Sequence, residues 1–398
     1  MDKLKICNGR VITASRILEN GVVVAENGLI TAVGEGDIPE ADCLEIDAGG
    51  NYVSPGFIDI HVHGGGGHDF MDGTVQCYLG AAAKHAEHGT TAMIPTTQSS
   101  ALDELKNSFA VFKEAKQLNK NGAEFLGLHL EGPYLSPEQC GAQDPRHLRE
   151  PRPEEYKLIL NWAGDIILWG AAPELNGALE FGGYLAAKGI RPAIAHSNAV
   201  FEQIKAAVDK GFSHVTHLYS GMSGVRRINA FRYAGVVESA FLIDELTVEV
   251  IADGVHLPAS LLQLIYKVKG PARIALITDA MRASGMPPGE SIIGSLKNGR
   301  KVIVEDGVAK VPDRSCFAGS VATADRLVYT MVSSANIPLF DAVRMMTSTP
   351  AAIAGVDRAK GSLDPGKDAD IVIFDESVDV QMTIIKGRIV YQKKQPNR

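Results

Sequence analysis

The sequence predicts a TIM-type (β/α)8 barrel together with a small β-sandwich domain built from both ends of the chain. Eight short apolar runs alternate with helical patterns through the middle of the chain. Polar residues follow many of these runs, and hairpin patterns occur at both termini. A doubly wound open sheet is the competing architecture. The barrel is favoured because polar residues gather at the carboxyl ends of so many different strands.

The composition is that of an ordinary globular protein. The chain has 398 residues, of which 45% are hydrophobic and 22% charged, enough for one large domain and a smaller one. Its net charge is −8 without a basic block, so nucleic acid is not an expected partner. Five scattered cysteines without a CxxC pair argue against a disulfide framework and a cysteine-ligated zinc site. A signal core and a membrane-spanning run are absent from the sequence, so we expect a soluble cytoplasmic protein with no membrane partner.

Hairpin patterns at the two ends of the chain predict the smaller domain. Short β-prone runs flank a two-residue turn signal near each terminus, at Asn27-Gly28 and at Lys386-Gly387. Two β-rich ends around a different middle suggest that the termini meet. The predicted domains are residues 1–53 with 357–398 for the β-sandwich, and residues 54–356 for the barrel, which carries a β-hairpin insertion near 291–312.

The barrel domain is predicted from the alternation of strand and helix patterns. The predicted strands cover residues 57–63, 91–95, 125–130, 166–171, 191–195, 214–217, 247–251 and 273–278. The predicted helices include 101–118, 201–210, 257–268, 321–334, 341–346 and a stretch from 81 that Gly89 caps. In this fold the carboxyl ends of all the strands meet at one face, where active sites are found.

Histidine and carboxylate side chains follow the ends of these strands. His61 and His63 end the first strand, and their spacing points both side chains to the same face. The later strands are followed by Glu131, His196, His217, Asp253 with His256, and Asp279. A lone histidine at a strand end is usually an ordinary hydrogen-bonded residue, but so many positions at one barrel face indicate a shared site.

This inventory predicts metal-dependent hydrolysis. Imidazole and carboxylate ligands suit one or two divalent ions, Zn²⁺, Fe²⁺, Mn²⁺ or Co²⁺. The fourth strand ends without a lysine that could be carboxylated, so Glu131 is the better bridging candidate. Metal ions of this kind activate water and polarise a substrate oxygen. Asp279 is the candidate general base and acid.

The motifs around these residues resemble a known family. PGFIDIHVHG at residues 55–64 is similar to the signature of the amidohydrolase superfamily. Further motifs resemble one branch, the N-acetylglucosamine-6-phosphate deacetylases, in the same order along nearly the whole chain. These motifs are HLEGP (129–133), AHSNA (195–199), THLY (216–219), IADGVH (251–256), TDA (278–280), FAGS (317–320), KGSL (360–363) and GKDAD (366–370).

The resemblance implies a set of metal ligands. Glu131, His196 and His217 would bind the metal common to the family. His61 and His63 would share Glu131 with a second metal, as in members that keep both histidines. Other members lack this pair and use one metal, so the number of ions stays open.

The resemblance also implies the reaction and the residues that meet the substrate. The implied enzyme is a homodimer that hydrolyses N-acetylglucosamine 6-phosphate to glucosamine 6-phosphate and acetate, in amino sugar catabolism. Asp279 matches the catalytic aspartate, and His256 matches a histidine that contacts the substrate near the scissile amide. The other implied substrate contacts are Ala142, Ser220, Gly221, Arg232, Asp253, Phe317, Ala318 and Gly319.

Two departures from the family pattern concern the substrate phosphate. Where the family has Asn-Ala, which helps to hold the phosphate, this chain has Ser220-Gly221 and lacks the amide. The family also has an arginine that reaches the phosphate in the neighbouring subunit. Arg232 aligns best with it, and Arg226 and Arg227 are alternatives. A guanidinium suits a phosphate because it is planar and always charged.

Alternative functions stay open from the sequence. The same chemistry on N-acetylgalactosamine 6-phosphate or on an unphosphorylated N-acyl amino sugar is compatible with the altered Ser220-Gly221. A metal-dependent deaminase shares the first histidine pair, but the Glu131 motif argues against it. Intact Asp279 argues against a non-catalytic sugar-binding relative.

The remaining histidines are expected to have structural roles. His129 alternates with Glu131 and is expected near the ligands or in the core, and His214 is expected to be buried and hydrogen-bonded. The histidines expected at the surface or in loops are His68, His85, His88 and His147.

Overall fold

A nearly closed barrel of parallel strands occupies the middle of the chain in the computed structural model, which describes residues 3–394. Main-chain hydrogen bonds of 2.9 Å from Asp279 N–H to His61 O and from His63 N–H to Ala280 O join the last strand to the first. The barrel strands are Phe57–Val62, Thr90–Thr97, Leu128–Glu131, Ile166–Ala171, Arg191–Ile194, His214–Val215, Thr247–Val250 and Ile274–Leu276.

The barrel strands agree with the predicted runs to within a few residues, except that the third one is broken. Glu124–Phe125 and Leu128–Glu131 are separate strands, and both pair with Thr90–Thr97. Gly127 lies at the break, where a Cβ atom would be 2.5 Å from the main-chain oxygen of Asp165. The close approach leaves no room for a side chain at this position, which glycine satisfies.

Helices surround the barrel and bury one face each. In Leu102–Leu118 the buried residues include Leu105, Phe109 and Phe112, at the spacing of one helix face. The Thr74 side chain accepts the Cys77 N–H at 3.4 Å and caps the first helix. The helices are Val75–Ala86, Leu102–Leu118, Pro153–Trp162, Ala178–Ala187, Phe201–Val208, Val236–Leu242, Ala259–Lys269, Ala324–Ser333, Leu339–Met346 and Ser348–Ala354. Within residues 3–394, none of these helices has the length and apolar character needed to cross a membrane.

Strands from both ends of the chain form one separate sheet. Tyr52–Pro55 pairs antiparallel with Ile371–Phe374, which joins the N-terminal strands to the C-terminal ones. The predicted boundaries at 53 and 357 stay a prediction, and residues 1–2 and 395–398 of that domain lie outside the described residues. The strands of this sheet are Lys3–Ile12, Ile17–Glu26, Leu29–Glu35, Leu44–Asp47, Tyr52–Pro55, Ile371–Phe374, Val380–Ile385 and Arg388–Gln392.

A buried lysine joins this sheet to the barrel. Lys360 Nζ lies 2.7 Å from Glu124 Oε2 of the barrel and 2.7 Å from carboxylate oxygens of Asp368 and Asp370. Only 5% of the Lys360 side chain is exposed. Burial lowers the pKa of Lys360, but the charges of Asp370 and Glu124 raise it by more than burial lowers it. The net pKa lies above its ordinary value, so this ammonium group stays charged.

Small sheets extend beyond the barrel strands. The predicted hairpin insertion is present as Arg300–Glu305 and Val308–Lys310, with Gly289–Ile293 as a third antiparallel strand. It reaches the loop after the third barrel strand, where Arg300 donates to the Ala142 and Gln143 carbonyl oxygens at 3.1 Å. The other small sheets are the pairs Arg226–Ile228 with Phe231–Tyr233, and Gly64–Gly65 with His68–Asp69.

Candidate metal centre and active site

Glu131 lies at the centre of a buried polar cluster at the carboxyl end of the barrel. Its Oε1 atom is 2.8 Å from His217 Nε2 and 3.0 Å from His196 Nε2. Its Oε2 atom is 3.3 Å from His63 Nε2. A carboxylate with histidines beside both oxygens is placed to bridge two ions.

The main chain fixes the orientation of the two histidines beside Oε1. His196 Nδ1 is 2.7 Å from Gln139 O, and His217 Nδ1 is 3.1 Å from Ser220 O. Carbonyl oxygens accept hydrogen bonds, so each Nδ1 carries the proton and each Nε2 offers a lone pair to the site.

This donor set fits a cation. Two imidazole nitrogens lie 2.8 and 3.0 Å from the same carboxylate oxygen, and their lone pairs would repel it unless a positive charge lies among them. Burial lowers the pKa of His217, yet the neighbouring Glu131 raises it to about 9, which reflects the same attraction for positive charge. Glu131, His196 and His217 can therefore hold one divalent ion.

His61, His63 and Asp279 form a second group beside the first. His61 Nε2 lies 3.3 Å from His63 Nε2, and Asp279 Oδ1 lies 3.1 Å from His63 Nε2 and 3.5 Å from His61 Nε2. Thr96 O is 3.2 Å from His63 Nδ1, which turns Nε2 of that ring towards the group. These ligand atoms also suit a divalent ion, with Glu131 within reach of both groups.

Asp279 stands where a strand becomes a loop, in a left-handed conformation with φ of 47°. Burial raises the pKa of this carboxyl, but the hydrogen bond from His63 and the charges of both histidines lower it below its usual value. The carboxylate is therefore ionised and able to accept a proton.

A pocket of about 420 Å³ opens above this cluster. Asp253 Oδ2 lies 2.7 Å from Nδ1 of His256, and this leaves Nε2 as the free nitrogen of a ring that lines the pocket. The predicted site residues that line the pocket are His63, Glu131, Ala142, His196, His217, Ser220, Gly221, His256, Asp279, Phe317 and Gly319.

The amidohydrolase family model matches residues 52–390 of the chain. The chain belongs to the amidohydrolase family. It is 35% identical to the N-acetylglucosamine-6-phosphate deacetylase of Vibrio furnissii, over 96% of this chain and 94% of that protein. It is 33% identical to the N-acetylgalactosamine-6-phosphate deacetylase of Escherichia coli O157:H7, over 96% of this chain and 97% of that protein.

The fold of this amidohydrolase is also similar to solved structures. A mutant N-acetyl-D-glucosamine-6-phosphate deacetylase from Mycobacterium smegmatis, in complex with N-acetyl-D-glucosamine-6-phosphate, superposes with a TM-score of 0.90 at 30% identity. The match covers 98% of this chain and 100% of that one. The predicted fold class and the predicted family, the N-acetylglucosamine-6-phosphate deacetylases, are confirmed.

Some predicted substrate contacts of the amidohydrolase lie behind the pocket wall. Asp253 is 3% exposed, and its Oδ1 atom accepts the main-chain N–H groups of Val255 and His256 at 2.9 and 2.8 Å. Its carboxylate orients His256 and does not line the pocket. Ala318 is fully buried and packs in the core beneath the insertion. The substrate contacts predicted for these two residues stay predictions, and the structure shows both side chains buried beside the pocket.

The arginines predicted to contact the substrate phosphate also lie outside the pocket of their own chain. Arg226, Arg227 and Arg232 lie on the hairpin formed by Arg226–Ile228 and Phe231–Tyr233, and Arg227 and Arg232 are exposed. The assignment of Arg232 to the phosphate of a neighbouring subunit stays a prediction. His61 is fully buried beneath the pocket, at the second group of ligands.

Two side chains that contact the ligands were not predicted from the sequence. They are the carboxamide of Gln143 and the carboxylate of Glu249. Gln143 Nε2 donates to Glu131 Oε2 at 2.6 Å from a loop without a recognisable pattern. Glu249 Oε2 lies 2.9 Å from His61 Nδ1. A signal existed for Glu249, since it is a lone charge inside an apolar strand of a parallel sheet. Other pocket residues that were missed are Gln98, Tyr219, Ile293, Arg314, Ser315 and Cys316.

The positions predicted for the remaining histidines agree only in part with the structure. His214 is fully buried and bonded to Glu249 and Thr247, which confirms its prediction. The surface or loop position predicted for His85 is wrong, because it is fully buried with Nε2 2.9 Å from Gly64 O. The helix that carries it turns this ring inward beneath the glycine-rich loop.

Proposed function

We propose that this amidohydrolase hydrolyses the acetamide of N-acetylglucosamine 6-phosphate to glucosamine 6-phosphate and acetate, in amino sugar catabolism. The observation that carries the proposal is the convergence of Glu131, His196, His217 and Asp279 on one pocket. It occurs in a chain similar to named deacetylases over nearly its whole length.

The ligand groups fit one or two divalent ions, and we propose Zn²⁺, Fe²⁺, Mn²⁺ or Co²⁺ as the candidates. When bound, such an ion polarises the acetyl carbonyl and lowers the pKa of a water molecule to about 7. Glu131, His196 and His217 would hold the first ion, and His61 and His63 the second, with Glu131 shared.

Asp279 is the proposed proton carrier. It accepts a proton as the water oxygen forms its bond to the acetyl carbon, and it returns this proton to the nitrogen as the carbon–nitrogen bond breaks. Its Oδ1 atom is 3.1 Å from His63 Nε2, so the carboxylate is held at the ligand cluster with one face towards the pocket.

His256 is proposed to stabilise the negative charge that develops on the acetyl oxygen. The Asp253 carboxylate, 2.7 Å from Nδ1, orients the ring so that Nε2 can face the acetyl oxygen. Phe317 packs against the ring with a centroid separation of 4.7 Å and limits its rotation.

The phosphate and the assembly are further parts of the proposal. We propose a homodimer in which an arginine of one subunit, Arg232 or its neighbours Arg226 and Arg227, reaches the phosphate bound by the other. The hairpin that carries them presents Phe231 with 72% of its surface exposed, which favours a protein contact there. A cytoplasmic location is supported by five cysteines that are all free.

The deciding experiment is a side-by-side assay of acetate release by the metal-loaded enzyme. The substrates are N-acetylglucosamine and N-acetylgalactosamine, each with and without the 6-phosphate. We expect the highest kcat/KM on N-acetylglucosamine 6-phosphate. A higher value on the galactose epimer or on either unphosphorylated sugar would overturn the substrate assignment, and release of ammonia would overturn the deacetylase reaction.

A further inference from the structure

A buried carboxylate that the proposed reaction does not use lies directly beneath the metal centre. Glu249 belongs to the strand Thr247–Val250 and is fully buried. Its Oε2 atom is 2.9 Å from His61 Nδ1 and accepts the main-chain N–H of His217 at 3.1 Å. Its Oε1 atom is 3.0 Å from His214 Nε2.

These contacts reach both groups of proposed ligands from one side chain. The ring of His61 belongs to the second group, and the main chain of His217 belongs to the first. A buried carboxylate is costly to desolvate, and an apolar residue of similar size often stabilises a core as well or better. The position of Glu249 therefore points to a role beyond filling the barrel.

The contact with His61 selects the tautomer of its ring. Since Oε2 already accepts the N–H of His217, it faces His61 as an acceptor, and the proton of His61 lies on Nδ1. The Nε2 lone pair then points to the space shared with His63 Nε2, at 3.3 Å, and Asp279 Oδ1, at 3.5 Å.

His61 differs in this respect from the other proposed histidine ligands. The Nδ1 atoms of His63, His196 and His217 face main-chain carbonyl oxygens, those of Thr96, Gln139 and Ser220, at 3.2, 2.7 and 3.1 Å. His61 alone among the four faces a side-chain carboxylate. A carboxylate behind a histidine both orients the ring and makes it a more basic ligand.

We propose that Glu249 is a positioning residue that makes the second metal position competent. It holds His61 in the Nδ1-protonated tautomer and aims Nε2 at the second ion, while the first ion depends on Glu131, His196 and His217. The inference rests on the proposed metal-dependent function, but it concerns ion binding and not the identity of the substrate.

The test counts ions in the purified full-length enzyme. Apo enzyme is titrated with Zn²⁺ against a chromophoric chelator, and bound zinc is measured by elemental analysis. We expect Glu249→Gln to retain the first equivalent with unchanged affinity and to bind the second about 10- to 100-fold more weakly than wild type. The matched control is Thr216→Val, since the Thr216 hydroxyl is buried in the same barrel without a hydrogen-bond partner in the described part of the chain. It should keep both affinities.

A second comparison separates positioning from general support of the core. In a His61→Asn background the second equivalent is already lost, so adding Glu249→Gln should leave the affinity for the remaining first equivalent unchanged. The proposal would be overturned if the wild-type enzyme binds only one ion. It would also be overturned if Glu249→Gln binds both ions with unchanged affinity and differs from wild type only by a lower Tm.

A measurement on the wild-type protein keeps the proposal testable if Glu249→Gln does not fold. Nitrogen-15 spectra of histidine-labelled apo enzyme, with His61 assigned by comparison with His61→Asn, should show its proton on Nδ1. A proton on Nε2 would contradict the assigned geometry. An absence of acetate release with two ions bound would contradict the proposed function and leave this inference standing.

Discussion

The side-chain amide of Gln143 donates a 2.6 Å hydrogen bond to Glu131 Oε2, while its carbonyl oxygen accepts the main-chain N–H of Ser99 at 2.9 Å. The amide is therefore fixed at both ends. It holds the Glu131 carboxylate with Oε1 turned towards His196 and His217.

Replacement of Gln143 by Leu is expected to weaken binding of the first ion about 10- to 100-fold, because Glu131 loses the group that orients it. Zinc competition with a chelator measures this affinity. Gln139→Ala is the matched control, since Gln139 contacts His196 through its main-chain oxygen and keeps that contact. Equal affinities in both variants would contradict an orienting role for Gln143.

Gly221 lies against a metal ligand in a conformation that favours glycine. A Cβ atom there would lie 2.6 Å from His196 Nδ1 and 3.1 Å from Gln139 O, and φ is +57°. We expect Gly221→Ala to displace His196 and to lower both zinc content and kcat. Ser220→Asn has no such obstacle and should keep kcat. If Gly221→Ala retains full zinc content, His196 accommodates the methyl group in this chain and the expected displacement is wrong.

Asp279→Asn is expected to reduce kcat by about 10²- to 10⁴-fold, because the amide cannot take up a proton at neutral pH. The readout is acetate release, with zinc content measured on the same sample to separate a lost proton carrier from a lost ligand. Normal turnover by this variant would show that another group carries the proton.

The lysine between the two domains should matter more for stability than its exposed neighbour. Lys360→Met leaves the buried Asp370 and the partly buried Glu124 and Asp368 without their cation, and we expect a loss of about 3–5 kcal/mol in the free energy of unfolding. Lys386 contacts the same Glu124 at 2.9 Å, but 44% of its side chain is exposed. Lys386→Met should therefore cost less than about 1 kcal/mol. Urea unfolding followed by circular dichroism compares them, and equal losses would contradict the assigned difference.

Burial lowers the pKa of His85 from 6.5 to about 4. The unfolded chain therefore binds this proton more readily, so the stabilising contribution is complete above pH 6.5 and is lost as the pH falls towards 4. Between pH 7 and 5 the wild type should lose about 2 kcal/mol more stability than His85→Gln, which cannot titrate there. Urea unfolding at both pH values measures the free energy of unfolding of each protein. The titration of the metal ligands affects wild type and variant alike, so it cancels when the two are compared. Identical pH dependence would show that His85 takes up no extra proton on unfolding.

The strands and most ligand positions could be predicted because local pattern determines them. A run such as Ile166–Ala171, with two isoleucines and a tryptophan, favours a strand, and the residues that follow it then lie at the barrel mouth. For the same reason His61, Glu131 and His217, which follow or end such runs, were located from sequence.

Residues whose role depends on how a loop folds back could not be predicted. Gln143 reaches Glu131 only because the loop after the third strand folds over the site. The position of Asp253 after a strand could not reveal that the loop turns its carboxylate towards His256. Phe231 gives no alternating strand pattern, and its hairpin was missed for that reason.

The pairing of Tyr52–Pro55 with Ile371–Phe374 means that this sheet can be completed only late in synthesis. As the chain leaves the ribosome, the N-terminal strands emerge first, but this edge finds its neighbour only after the entire barrel has been translated. Until then it exposes unpaired main-chain groups, which are open to pairing with another chain. A nascent chain arrested before residue 371 therefore exposes an unpaired edge strand that is prone to aggregation, even where its barrel has already closed.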